Sequence, residues 1–211
     1  MPATMMHLAA GRALLPGGTD SFLLGCILPD CLDSCREKKD KVHFRDIPPE
    51  NRLEALIAFG QGLNFDLDFD FGVLFHLYLD YLWDNGPQKA HRKSHGEENW
   101  FLDYRKELSR AGSRVAQRSE WCKEVWPRLE KAEPHEYCGT MELPEADIRA
   151  FLKFNAAWHT TEALPESDIF TDALVDAFLK RALLAFTVFL RDFFPRVYAA
   201  KKANLPEVGA L

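Results

Sequence analysis

Apolar residues recur along this chain mostly with helical spacing, and no convincing run alternates with period two. An all-α, multi-helix fold follows as the expectation. With 211 residues, 47% of them hydrophobic, the chain has enough apolar surface for one compact domain over 1–211. Two smaller domains are the alternative, and the stretch 133–143 is the only segment that reads as a linker.

Turn chemistry sets the expected boundaries. A first helix covers Thr4 to Leu15 and stops before Pro16-Gly17-Gly18, where a missing donor and glycine freedom favour a turn. Asp20 is expected to cap a short helix from Ser21 to Leu28, stopped by Pro29, so that Asp30 begins a loop. The charged segment from Ser34 to Pro49 reads as a loop carrying Val42-His43-Phe44. A third helix spans Glu50 to Gln61. The acids of Asn64-Phe65-Asp66-Leu67-Asp68-Phe69-Asp70-Phe71 do not form a calcium loop, because Phe71 and Leu77 occupy its glycine and glutamate positions. They suit the positive end of the next helix instead, about Phe71 to Asp84, which Gly86-Pro87 is expected to close. Later helices are expected over Glu97–Ala111, Arg114–Ala132, Pro144–Ala157 and Ser167–Ala200, the last broken or kinked at Pro195.

The formal charge of −6, with basic residues scattered among acidic ones, gives no stripe for duplex nucleic acid. The apolar run Ala182–Leu190 is too short to span a bilayer, so no transmembrane segment is expected. The first residues, Met1 to His7, lack the features of a secretory signal, which leads to the expectation of a cytoplasmic protein. Five cysteines are then expected as reduced thiols, Cys31-x3-Cys35 included.

The chemistry concentrates in His76-Leu77-Tyr78-Leu79-Asp80. Four residues apart on a helix, an imidazole and a carboxylate share one face and can converge on one cation. Their neighbours are apolar, and an unpaired buried carboxylate is expensive, so either a metal or a plain His-Asp hydrogen bond must satisfy it. Asp30 after Leu28-Pro29, His43 between Val42 and Phe44, and His7 in an apolar helix are further candidates. Each taken alone reads equally as a cap or an ordinary histidine. Asp84 is an outer ligand or a surface acid. His91, His95, Arg92 and Lys93 read as a solvated loop with anion binding as the alternative, and His135 as surface. Trp158-His159-Thr160-Thr161-Glu162 is a segment that could close a site from the second half of the chain.

Taken in order, His7, Leu28-Pro29-Asp30, His43-Phe44 and His76-x3-Asp80 resemble the zinc-dependent phospholipase C and P1 nuclease superfamily over roughly residues 1–85. The resemblance implies a helical fold in which Asp30, His43, His76 and Asp80 hold one zinc ion, with Asp80 bridging to a second also held by His7. It further implies hydrolysis of a phosphate ester by a water whose pKa the metal lowers toward ~7, with Asp30 as the general base to test. The chain departs from the family in lacking its N-terminal tryptophan and its second His-x3-acid pair, and position 86 is Gly, so a third metal is not expected. No His-Glu-x2-His, Gly-x-Ser-x-Gly or phosphate-binding glycine loop occurs. The alternative function is a noncatalytic helical protein braced by metal that binds a protein or lipid partner.

Overall fold

The computed structural model describes residues 2–34, 36–95, 100–132, 143–160 and 164–207. The protein is all-helical, and no strand occurs among the described residues. Its centre is α5, Asp68–Trp83, which is apolar on every side and buried along nearly its whole length, as such a helix must be. Around it pack α1 (Thr4–Leu14), α2 (Asp20–Gly25), α4 (Arg52–Gln61) and a long helix near the C-terminus, Asp172–Phe193. Phe186 of that long helix meets Phe75 and Tyr78 of α5 at ring-centroid distances of 4.9 and 5.5 Å. Trp83, at the end of α5, packs on Phe170 and Phe178 and donates from Nε1 to the Tyr104 hydroxyl at 2.9 Å. Among the described residues no helix is long and apolar enough to cross a membrane.

The tightest contact joins α2 to α5. A Cβ on Gly25 would stand 2.1 Å from the Phe69 carbonyl oxygen, and one on Gly72 would stand 2.2 Å from that of Phe22. Two glycines thus let the backbones meet directly, which no larger residue permits.

Several expected boundaries are corrected. Thr19, not Asp20, caps α2, its hydroxyl accepting from the Phe22 N–H at 3.2 Å. That helix ends at Gly25, and Asp30 lies inside a 3₁₀ stretch, Leu28–Ser34, instead of opening a loop. The supposed loop after Ser34 contains helix α3, Arg36–Val42, supported by a Glu37–Lys41 pair at 3.1 Å one turn apart and by burial of Lys39. Gly86-Pro87 does not close α5. A π-helical turn, Asp84–Gln88, absorbs the proline and leads into α6, Lys89–His95. Consequently His91 is a buried helical residue, not part of a solvated loop.

In α7, Trp100–Arg118, the chain runs straight through the expected break at Gly112. There a Cβ would lie 2.6 Å from that of Ala3, so this glycine serves close approach to the start of α1. The break comes later, before α8, Cys122–Leu129. Helix α9 is Glu145–Thr160 and α10 is Asp172–Phe193, opened by a Thr171 cap. Ser167, expected to start that last helix, instead donates to Glu107 of α7 at 2.8 Å. Pro195 begins the separate α11, Pro195–Lys201, so the break expected at that proline is present. Cys26, Cys31 and Cys122 are free buried thiols, while Cys35 lies outside the described residues.

Candidate metal centre

The five side chains singled out in sequence meet in one place. Each arrives from a different local cause: His7 from the buried face of α1, Asp30 from the 3₁₀ stretch, His43 from the end of α3, and His76 with Asp80 from successive turns of α5. Exposure is 0% for His7 and His76, and 6% or less for Asp30, His43 and Asp80. Two groups of ligand-competent atoms form, His7/His76/Asp80 and Asp30/His43/His76, and both share His76.

The geometry fixes which ring nitrogens face inward. His76 Nδ1 lies 2.7 Å from the Cys26 carbonyl oxygen, and His43 Nδ1 lies 2.7 Å from that of Lys39. A carbonyl only accepts, so both Nδ1 atoms carry the proton and both Nε2 atoms present lone pairs. Those two Nε2 atoms stand 3.2 Å apart. Asp80 adds an oxygen 3.3 Å from His43 Nε2 and 3.7 Å from His76 Nε2, and its other oxygen lies 3.1 Å from His7 Nε2. Asp30 Oδ1 is 3.6 Å from His43 Nε2. The His7 ring stacks on His76 at 3.9 Å with a 14° tilt.

Both nitrogens of His7, both oxygens of Asp80 and Oδ1 of Asp30 are buried without a hydrogen-bond partner. The approach of His7 to Asp80 is close but not aligned as a hydrogen bond. A neutral His7 keeps one N–H and Lys39 stands beside Asp30, but the facing lone pairs of His43 and His76 and the two oxygens of Asp80 are costly together unless a cation joins them. The His/Asp donor set therefore fits a divalent metal. Because His76 Nε2 has one lone pair, His76 serves one ion at a time, and the two overlapping groups describe one ion's surroundings more readily than two.

Electrostatics favours the ligand-competent forms. Burial lowers the pKa of His76 to about 3, with His7 adding to the effect, and burial lowers that of His43, so both rings are neutral at pH 7. Burial alone would raise Asp30, but the Lys39 ammonium, 3.2 Å from Oδ1, together with His76 and His43 outweighs it and holds the carboxyl well below the usual range. Asp80 is likewise held low against burial by the imidazoles around it.

Several supporting residues escaped the sequence. Gly72 stands one turn before His76, and its backbone contact with α2 brings the Cys26 carbonyl onto His76 Nδ1. Lys39 is one turn before His43 and supplies both a carbonyl and a charge. Arg45 reaches to 4.0 Å from Asp80. Phe44, directly after His43, has φ of 55°, a left-handed conformation that a bulky residue adopts only under strain, and it turns the chain out of α3 where His43 must face inward. The i, i+4 spacing of Lys39 and His43 was the available signal, hidden because the segment reads as a charged loop.

The other candidates separate. Asp84 pairs with Arg52 at 3.7 Å beside His43 and Asp80, outside the two metal-competent groups. The rings of His91 and His95 lie 4.0 Å apart, tilted by 38°, away from the centre, and Arg92 lies over the Trp100 ring. Trp158 and His159 do come from the second half of the chain to line a cleft of about 330 Å³ that reaches Asp30 and Lys39. His159 stacks on Trp126, and burial pulls its pKa down to about 4. Glu162 and His135 lie outside the described residues. No family model, curated protein or solved structure matches the chain.

Proposed function

We propose that this chain is a zinc-dependent phosphoesterase resembling phospholipase C and P1 nuclease, acting on a phosphate ester in the cleft beside Asp30. One observation carries the reading: the Nε2 lone pairs of neutral His43 and His76 and the carboxylate oxygens of Asp30 and Asp80 converge in one buried space, with the Lys39 ammonium beside Asp30. Mixed nitrogen and oxygen ligands suit zinc. When bound, zinc polarises a phosphoryl oxygen and lowers the pKa of a coordinated water toward ~7.

The chain's own residues do the rest. His43 and His76 hold the ion through Nε2, and their Nδ1 bonds to backbone carbonyls keep each ring from turning. Asp80 and His7 complete the buried side. Asp30 stands where the centre opens on the cleft, so it is the residue to receive a proton from water there. A carboxyl stabilised so strongly as an anion is a weak base, however, and Asp30 is assigned first to the metal. Trp158, itself partly exposed, lines the same cleft.

Elemental analysis of tag-free protein, followed by assays on phospholipid, single-stranded nucleic acid and small phosphodiesters, tests the reading. About one equivalent of zinc and metal-dependent hydrolysis are expected, both lost in Asp80→Ala. Full metal content and turnover in that variant would refute the assignment. A second reading draws on the complete burial of His7 and His76: the ion braces the helices, and the protein binds a partner without catalysis. In that case zinc raises the melting temperature and no phosphate ester is turned over.

A further inference from the structure

The centre already holds its own countercharges. Lys39 Nζ lies 3.2 Å from Asp30, an Arg45 nitrogen 4.0 Å from Asp80, and an Arg52 nitrogen 3.7 Å from Asp84. Imidazoles that coordinate through a lone pair add no charge. Arg45 is also paired with Asp40 at 3.5 Å, so a divalent ion placed among these groups leaves an excess of about one positive charge, which is unfavourable until an anion offsets it. The anion's way in is the 330 Å³ cleft, where Asp30 and Lys39 of the centre meet Arg105 of α7 and Asn155, Trp158 and His159 of α9.

Lys39 is built for this place. Its side chain is buried, it lines the cleft together with Asp30, and its ammonium also donates to the Asp30 carbonyl at 3.4 Å. Four residues later, His43 donates to the Lys39 carbonyl. One helical turn thus carries both a metal ligand and a cation that can hold an anion.

We propose that Lys39, with Arg105 on the same cleft, makes binding of the metal ion and of a tetrahedral oxyanion mutually dependent. The inference rests on the metal reading above. Thermodynamic reciprocity requires that the factor by which the anion tightens the ion equal the factor by which the ion tightens the anion.

The test is calorimetric titration of inorganic phosphate into zinc-loaded and zinc-free protein, with zinc affinity measured by chelator competition with and without the anion. Dimethyl phosphate is run as a separate arm, standing for an esterified phosphate as inorganic phosphate stands for a free one. Coupling of about tenfold or more in either arm is the expected result, and coupling in neither overturns the proposal. Lys39→Met should bind zinc at least as tightly without anion, since a cation beside Asp30 is gone, but lose the coupling; Lys39→Arg should keep it. If Lys39 only braces Asp30, Lys39→Met weakens zinc and leaves phosphate affinity of the loaded protein unchanged, and the proposal falls. Should circular dichroism show that Lys39→Met does not fold, Arg105→Met, altered on an exposed position, takes its place: reduced coupling supports the proposal and undiminished coupling overturns it. Zinc bound without anion coupling defeats this inference alone, whereas failure to bind zinc at all defeats the metal reading beneath it.

Discussion

Two pairs of closely spaced imidazoles occur among the described residues, and they differ in everything but their spacing. His7 and His76, both buried, stack at 3.9 Å; the rings of buried His91 and exposed His95 lie 4.0 Å apart and tilted by 38°. The first pair faces Asp80, with Asp30 and His43 beside it, and every inward nitrogen looks at another acceptor. Around His91 stand the rings of Trp100, Tyr104 and Phe170, and its Nε2 approaches the Trp100 carbonyl at 3.3 Å. Close ring spacing is therefore not what distinguishes a ligand site. Lone pairs and carboxylates that converge in a buried space are.

The largest test of that contrast acts on the backbone. Gly72→Val would drive a side chain into the Phe22 carbonyl, and a loss of about 4 kcal/mol or more is expected in urea unfolding, with the metal site lost alongside. At Gly17, where a Cβ meets nothing within 4 Å, Ala should stay within about 0.5 kcal/mol. Next in size is a pH effect in metal-free protein. With its folded pKa pushed down to about 3 by burial, His76 binds fewer protons than in the unfolded chain, so stability is full above about pH 6.5 and falls as pH drops toward 3. Acid titration followed by unfolding should show a decline on the order of 4 kcal/mol, and no decline would mean that this ring is not held neutral by burial.

Zinc at a hundredfold excess over its dissociation constant should stabilise the protein by about 2.7 kcal/mol. Asp80→Ala should abolish that gain and His91→Gln should keep it, as differential scanning calorimetry would show; the reverse would make the second cluster the site. A smaller effect is expected of His91→Phe, about 1 kcal/mol in either direction with zinc content unchanged.

The parts legible in sequence were those set by local chemistry. The i, i+4 spacing of His76 and Asp80 was enough to place them on one face, and Pro195 marked a real break. The five site candidates could be listed because each lies beside apolar residues or a proline. What was not legible depends on contacts between distant segments. Lys39 looks like one charge in a charged run until Asp30 packs against it, and Gly112 looks like a helix stop until Ala3 approaches it. Gly86-Pro87 reads as a terminator because the widened turn that carries a helix past a proline has no residue pattern of its own.

The backbone contact between Gly25 and Gly72 also sets an order of events. His76 receives its fixed orientation only once α2 has docked on α5, and His7 and Asp30 come from segments far from Asp80 along the chain. An isolated α5 offers two ligands and little affinity. In refolding experiments a metal ion that these groups hold should therefore be captured at the rate at which helices dock, not at the rate of encounter, and its uptake would serve as a clock for the last long-range step of folding.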